Sequence, residues 1–268
     1  MKQLPTYFLS HGGGPWPWLE GDFRRQFDRL ESSLAEVPRS LAATPRAVLV
    51  VSGHWEEERF TVMSAEHPGM VYDYSGFPEH TYRIRYSAPG SPAIARRVLQ
   101  LLGEAGVPVA LDPARGFDHG TYAPLAVMYP DADVPVLQLS LKAGYSPRDH
   151  LAAGRALRPL RDEGVLIVGS GLSWHNLRAF GPAARVPSQA FDGWLDKALA
   201  AAPGERTRLL THWDDAPASR LAHPREDHFI PLHVALGAAE DEAAERIYHE
   251  SEFMGGVTAA SYRFGAGG

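Results

Sequence analysis

Cysteine is absent from all 268 residues, which removes disulfides, thiolate zinc sites, iron–sulfur clusters and cysteine nucleophiles together. No apolar run approaches the roughly 20 residues of a membrane-spanning helix. The opening Met1–Ser10 segment carries one lysine and too short an apolar stretch for a signal peptide, so a cytoplasmic protein is expected. Basic excess is missing as well: 32 Asp+Glu stand against 26 Lys+Arg, a net charge of −6. That balance argues against a nucleic-acid partner, which calls for a basic patch or stripe. Repeats, low-complexity tracts and charged linkers are not seen, and the length lies near the ~250–300 residues at which single cores stop growing. Residues 1–268 therefore read as one domain.

Two familiar catalytic signatures are also missing. Gly12-Gly13-Gly14 is not followed by the Gly-Lys-Ser/Thr of a phosphate-binding loop, nor does it have dinucleotide-fingerprint spacing. Ser170 lies between Gly169 and Gly171, but a nucleophile elbow needs glycine two positions to either side, where Val168 and Leu172 stand.

What the chain does have is 12 histidines among 22 prolines and 26 glycines. Short apolar runs at Thr6–Ser10, Ala47–Ser52, Val107–Leu111, Val134–Leu139 and Val165–Gly169 read as strands buried on both faces, as in a mostly parallel or mixed sheet. Between them, residues 21–36, 91–105, 148–163 and 188–202 show helical spacing of apolar residues, with Ser91-Pro92 and Ser188 as helix starts. Alternation of this kind predicts an α/β fold, a central sheet flanked by helices with its active site at the carboxyl ends of the strands.

Three histidines fall at those ends. His11 follows the first run, His54 the second, and His175 the run at 165–169. Glycines surround each: Gly12–Gly14, Gly53, and the Gly169/Gly171 pair, which allow positive φ or close approach of a ligand. One histidine after a strand is usually structural; three in equivalent places point to a metal site. Asp118-His119-Gly120 precedes a helical run, with either Asp118 as a cap and His119 a bystander, or His119 in a cleft. In the segment His223–His233, the candidate ligands are Glu226, Asp227 and His228. His233 is five residues from His228 and so on another helix face.

In order along the chain, Ser10-His11-Gly-Gly-Gly-Pro15, Ser52-Gly-His54-Trp55, Gly76-Phe-Pro78 with Tyr82, Tyr86-Ser-Ala-Pro-Gly90, Asp118-His119-Gly120, Ser173-Trp-His175-Asn176 and Asp227-His228-Phe-Ile-Pro-Leu-His233 resemble the 4,5-DOPA extradiol dioxygenase family. That family is a branch of the class III (LigB-type) extradiol ring-cleaving dioxygenases, and the resemblance spans about residues 5–260. It implies a metal held by His11, His54 and His228. It also implies His175 as catalytic base or fourth ligand, and His119 as a second catalytic histidine of the pocket. A two-histidine, one-carboxylate triad is usual for non-haem Fe(II), whereas the matching third position here is His228. The implied cofactor is one divalent ion per chain, Fe(II) for dioxygenase activity or Zn(II) as the alternative occupant. The implied partners are O2 and a small catechol such as DOPA, with no nucleic acid and no membrane. Competing readings are a zinc-dependent hydrolase on the same scaffold and a non-catalytic metal-binding interaction protein. Trp16, Trp18, Trp55, Tyr72, Phe77 and Trp174 are either walls of a ring pocket or core. His67, His80, His150, His212, His223, His233 and His249 read as surface or core residues.

Overall fold

The structure, a computed structural model, describes residues 3–266; Met1, Lys2, Gly267 and Gly268, at the ends of the expected 1–268 domain, lie outside it. The strands are β1 (Thr6–Ser10), β2 (Ala47–Glu57), β3 (Phe60–Met63), β4 (Val109–Asp112), β5 (Val136–Lys142), β6 (Val165–Gly171), β7 (Ala244–Phe253) and β8 (Val257–Phe264). They form one sheet in the order β4-β3-β5-β2-β6-β1-β8-β7. β5, β2, β6 and β1 are mutually parallel, with Leu49 level with Leu137 and Ile167, and Phe8 level with Gly169. Antiparallel pairs flank this centre, β3 on β5 at one side and β8 on β1 with β7 beyond at the other.

The uninterrupted apolar runs have a simple cause. Along β2 and β6, alternate residues face opposite sides, and both sides are covered. Val48, Val50, Leu166 and Val168 enter one core with Leu30 and Leu34; Leu49, Val51, Val165 and Ile167 enter the other with Val98 and Leu157. The helices are α1 (Gly21–Arg25), α2 (Asp28–Arg39), α3 (Pro92–Glu104), α4 (His119–Met128), α5 (Pro147–Leu157), α6 (Pro159–Asp162), α7 (Arg185–Ala200), α8 (Pro203–Thr211), α9 (Ser219–Ala222) and α10 (Pro231–Gly237). α3 and α5 start as their Ser-Pro pairs dictate: Ser91 Oγ accepts from Ile94 N, and Ser146 Oγ accepts from Asp149 N. Among the described residues no helix is long and apolar enough to cross a membrane.

Several boundaries differ from the sequence reading. The helix expected over 21–36 is two, α1 and α2, and that over 148–163 breaks where Pro159 opens α6. Ser188 lies inside α7, bonding the Arg185 carbonyl, not at its start. β2 runs on to Glu57, so His54 sits within the strand, inside the register shift between Val51 and Glu56.

Candidate metal centre

At the carboxyl ends of the parallel strands, the ring nitrogens of His11, His54 and His228 converge within 4.8 Å of one another. His11 follows β1 directly, and its N–H donates to Gly171 O at 3.1 Å, extending the β1–β6 ladder by one step. Its own carbonyl accepts from Trp16 Nε1 at 2.8 Å, which fixes the loop that leaves the strand. His228 comes from the loop before α10, and glycine seats it. A Cβ on Gly53 would stand 3.0 Å from the Asp227 carbonyl, and one on Gly171 would collide with the His228 carbonyl, which accepts from Leu172 N. Close approach therefore explains Gly53, Gly169 and Gly171; positive φ occurs in this region at Gly12 (+83°) and Gly14 (+55°).

The proton positions follow from the partners. His11 Nδ1 lies 3.0 Å from Gly12 O, so it carries the hydrogen and leaves Nε2 as a buried acceptor without a partner. His54 Nδ1 lies 3.1 Å from Asp73 Oδ2. His228 Nδ1 lies 3.2 Å from Asp227 Oδ1 without hydrogen-bonding to it, that oxygen accepting from the His228 backbone N–H instead. Both rings turn Nε2 inward, and those two atoms face each other at 3.0 Å. Burial holds all three imidazoles well below the usual histidine range, with neighbouring histidines adding to the effect, so they are neutral. Bare lone pairs gathered from three neutral rings repel unless a cation or a proton lies between them. The donor set fits a divalent ion.

Around this set stand two carboxylates and two more histidines. Asp73 reaches His54 with one oxygen and His119 with the other, Oδ1 lying 2.9 Å from His119 Nδ1 and 3.1 Å from its backbone N. His119 opens α4, where Asp118 caps the helix by accepting from Thr121 N. Asp118 caps as one reading has it, but His119 is no bystander: it lines the cavity, as the other reading has it. Asp118 also accepts from Ser52, Gln138 and Arg115, tying β2, β5 and α4 together behind His54. His175 stacks on His228 with ring centroids 3.4 Å apart, and its Nδ1 is 4.0 Å from Asp227 Oδ1. It stands outside the group of His11, His54 and His228 but forms another with Asp227 and His228, whose donor atoms also lie within 4.8 Å of one another. Burial lowers its pKa while Asp227 opposes the shift. Asp227 is itself raised by burial. Glu226 turns away to Arg220.

The cluster forms the floor of a cavity of about 520 Å³. Of the aromatic residues considered as pocket walls, Phe77 alone lines it; the ring faces come instead from Phe23, Phe27, Tyr74, Phe180 and Phe253. Trp16 and Trp174 are buried core. His223 and His233 are also buried, bonded to Ser173 O and Leu210 O. Asp73 is the residue of this cluster that the sequence reading does not single out. Its one signal is its place three residues before the Gly76-Phe77-Pro78 motif.

Residues 5–265 match the family described as the catalytic LigB subunit of aromatic ring-opening dioxygenase. The chain is 39% identical over 263 residues to a 4,5-DOPA dioxygenase extradiol of Beta vulgaris, covering 97% of this chain and 96% of that protein. It is 36% identical over 269 residues to the protein of that name from Escherichia coli K12, covering 98% and 95%. A crystal structure of an uncharacterized protein from Escherichia coli K12 superposes with a TM-score of 0.78 at 32% identity, covering 98% of this chain and all of that one. With a metal-fitting histidine cluster at the strand ends and likeness along nearly its whole length, the chain belongs to the 4,5-DOPA extradiol dioxygenase branch of the LigB-type aromatic ring-opening dioxygenases.

Proposed function

We propose that the chain, acting as one domain, opens a catechol ring beside its two hydroxyls with O2, DOPA being the first candidate substrate, and that His11, His54 and His228 hold the metal. The observation that carries this reading is the pair of inward Nε2 atoms of His54 and His228, 3.0 Å apart, with the partnerless Nε2 of His11 in the same group. Fe(II) bound there supplies a path for ring electrons to oxygen; Zn(II) is the alternative occupant, since an all-imidazole set suits it as well.

The remaining work falls to side chains. His175, neutral because burial lowers its pKa, accepts a catechol hydroxyl proton and returns it later in the reaction. Asp227, 4.0 Å from His175 Nδ1, favours the charged form that results. His119 commits Nδ1–H to Asp73 and so offers Nε2 as an acceptor that anchors substrate in the cavity. Phe23, Phe27 and Phe253 exclude water beside the ring.

The test is anaerobic reconstitution of metal-free protein with Fe(II) or Zn(II), followed by DOPA and other catechols in aerated buffer. Oxygen uptake coupled to a yellow ring-opened product, with Fe(II) and not with Zn(II), is the expected outcome. Tight stoichiometric zinc with no turnover of any catechol would instead favour a hydrolase or a binding role.

A further inference from the structure

We infer that the cavity selects catechols whose substituent is neutral or cationic on an apolar stem, and discriminates against those whose substituent ends in a carboxylate. The inference rests on the ring-cleavage reading above. Beyond the histidine floor, the charged residues among the described lining are Asp73 and Asp227, with neither lysine nor arginine among them. Its outer wall is apolar, made by Phe23, Phe77, Leu177, Phe180, Phe253 and Met254, and Leu177 projects at 76% exposure.

The same character continues outward. Phe23 and Phe77, with ring centroids 6.3 Å apart, also line a second cavity of about 470 Å³. That space adds Leu19, Glu20, Pro78 and His80; Glu20 is its one carboxylate, and no lysine or arginine is among its described lining. Nearby arginines are engaged elsewhere: Arg24 pairs with Asp28 and Glu31, and Arg225 with Glu56. Arg178 follows Leu177 but does not line either space.

The catechol hydroxyls face the metal floor, so a carboxylate on the stem is held in the outer, apolar part of the cavity, where it gives up water without meeting a lysine or arginine. An alkyl stem keeps the benefit of apolar burial. An ammonium meets carboxylates and the faces of aromatic rings, both attractive to it. DOPA carries one group of each kind, so the matching amine without the carboxylate is the better-fitting ligand.

The probes are 4-ethylcatechol, dopamine, DOPA and 3,4-dihydroxyphenylpropionate, compared by kcat/KM on the Fe(II)-loaded enzyme and by calorimetric binding under anaerobic conditions. The carboxylate-only probe should fall about tenfold or more below 4-ethylcatechol and dopamine in both measurements, with DOPA between. Leu177→Arg, which adds a cation at the mouth, should raise the carboxylate-to-ethyl ratio by about fivefold. Values for the carboxylate probe within about threefold of 4-ethylcatechol, or an unchanged ratio in Leu177→Arg, would overturn the inference. Probes that bind in the expected order without turnover would remove the ring-cleavage reading and leave the charge selection standing. Equal binding of all four would remove the selection whatever the turnover.

Discussion

Asp73 shows how much one carboxylate decides at the scale of a residue. One oxygen bonds His119 Nδ1 and sets that ring's tautomer, and the other stands 3.1 Å from His54 Nδ1, where a negative charge favours a hydrogen on that nitrogen. Asparagine can accept from one of those rings but presents an N–H to the other. Asp73→Asn should therefore weaken metal binding by about 10- to 100-fold, measured by competition with a chelator. Unchanged affinity would mean that the His54 tautomer is set elsewhere. His11, His54 and His175 stand out in the sequence because each follows a strand and has glycines beside it, whereas the sequence leaves His119 open between a cleft residue and a bystander. Asp73 does not stand out, since it lies in an irregular segment between tyrosines. That segment is placed by a bridge from Met70 to Phe117 and by Val71 N donating to Phe117 O, contacts between residues distant in the chain.

At the scale of an element, the end of β6 is the seat on which the third histidine rests. Gly171 has no side chain because the His228 carbonyl occupies that space. Gly171→Ala should displace the loop before α10, destabilise the protein by about 1–3 kcal/mol and release the metal. Gly103→Ala is the control: its Cβ meets nothing within 4 Å on α3, so a gain of about 0.5–1 kcal/mol is expected. Urea unfolding with metal analysis checks both, and a Gly171→Ala protein of full stability and metal content would refute the seating argument. The central strands were readable because burial on both faces demands continuous Val, Ile and Leu. β7 and β8 were hidden: the first is an exposed edge carrying Glu245, Arg246 and Glu250, and the second is built on Thr258, Ala259, Ala260 and Ser261. The β3 strand, Phe60–Met63, is too short to leave a periodic signal.

For the whole molecule, buried neutral histidines set the response to acid. Burial lowers His150 to about 4, His223 to about 3 and His233 to about 4, against 6.5 for an unperturbed histidine. The unfolded chain then binds more protons than the folded one between those values, so stability is full above the unfolded value and falls as pH drops toward the folded ones. Each such group contributes a slope of up to about 1.4 kcal/mol per pH unit in that window. The urea midpoint of the metal-free protein should fall steadily from neutral pH into that window; a flat midpoint would show these histidines protonated in the fold. The α/β architecture and the place of the site were legible because parallel strands bring their carboxyl ends to one edge, wherever they lie in the chain. The function itself turns on which histidines hold the metal, and metal content per chain in the wild type, His54→Ala and His175→Ala tests that most directly. One ion per chain is expected in the wild type and in His175→Ala, and none in a folded His54→Ala. A full ion in His54→Ala would contradict the metal centre described above, and its loss in His175→Ala would make His175 a ligand and not the base.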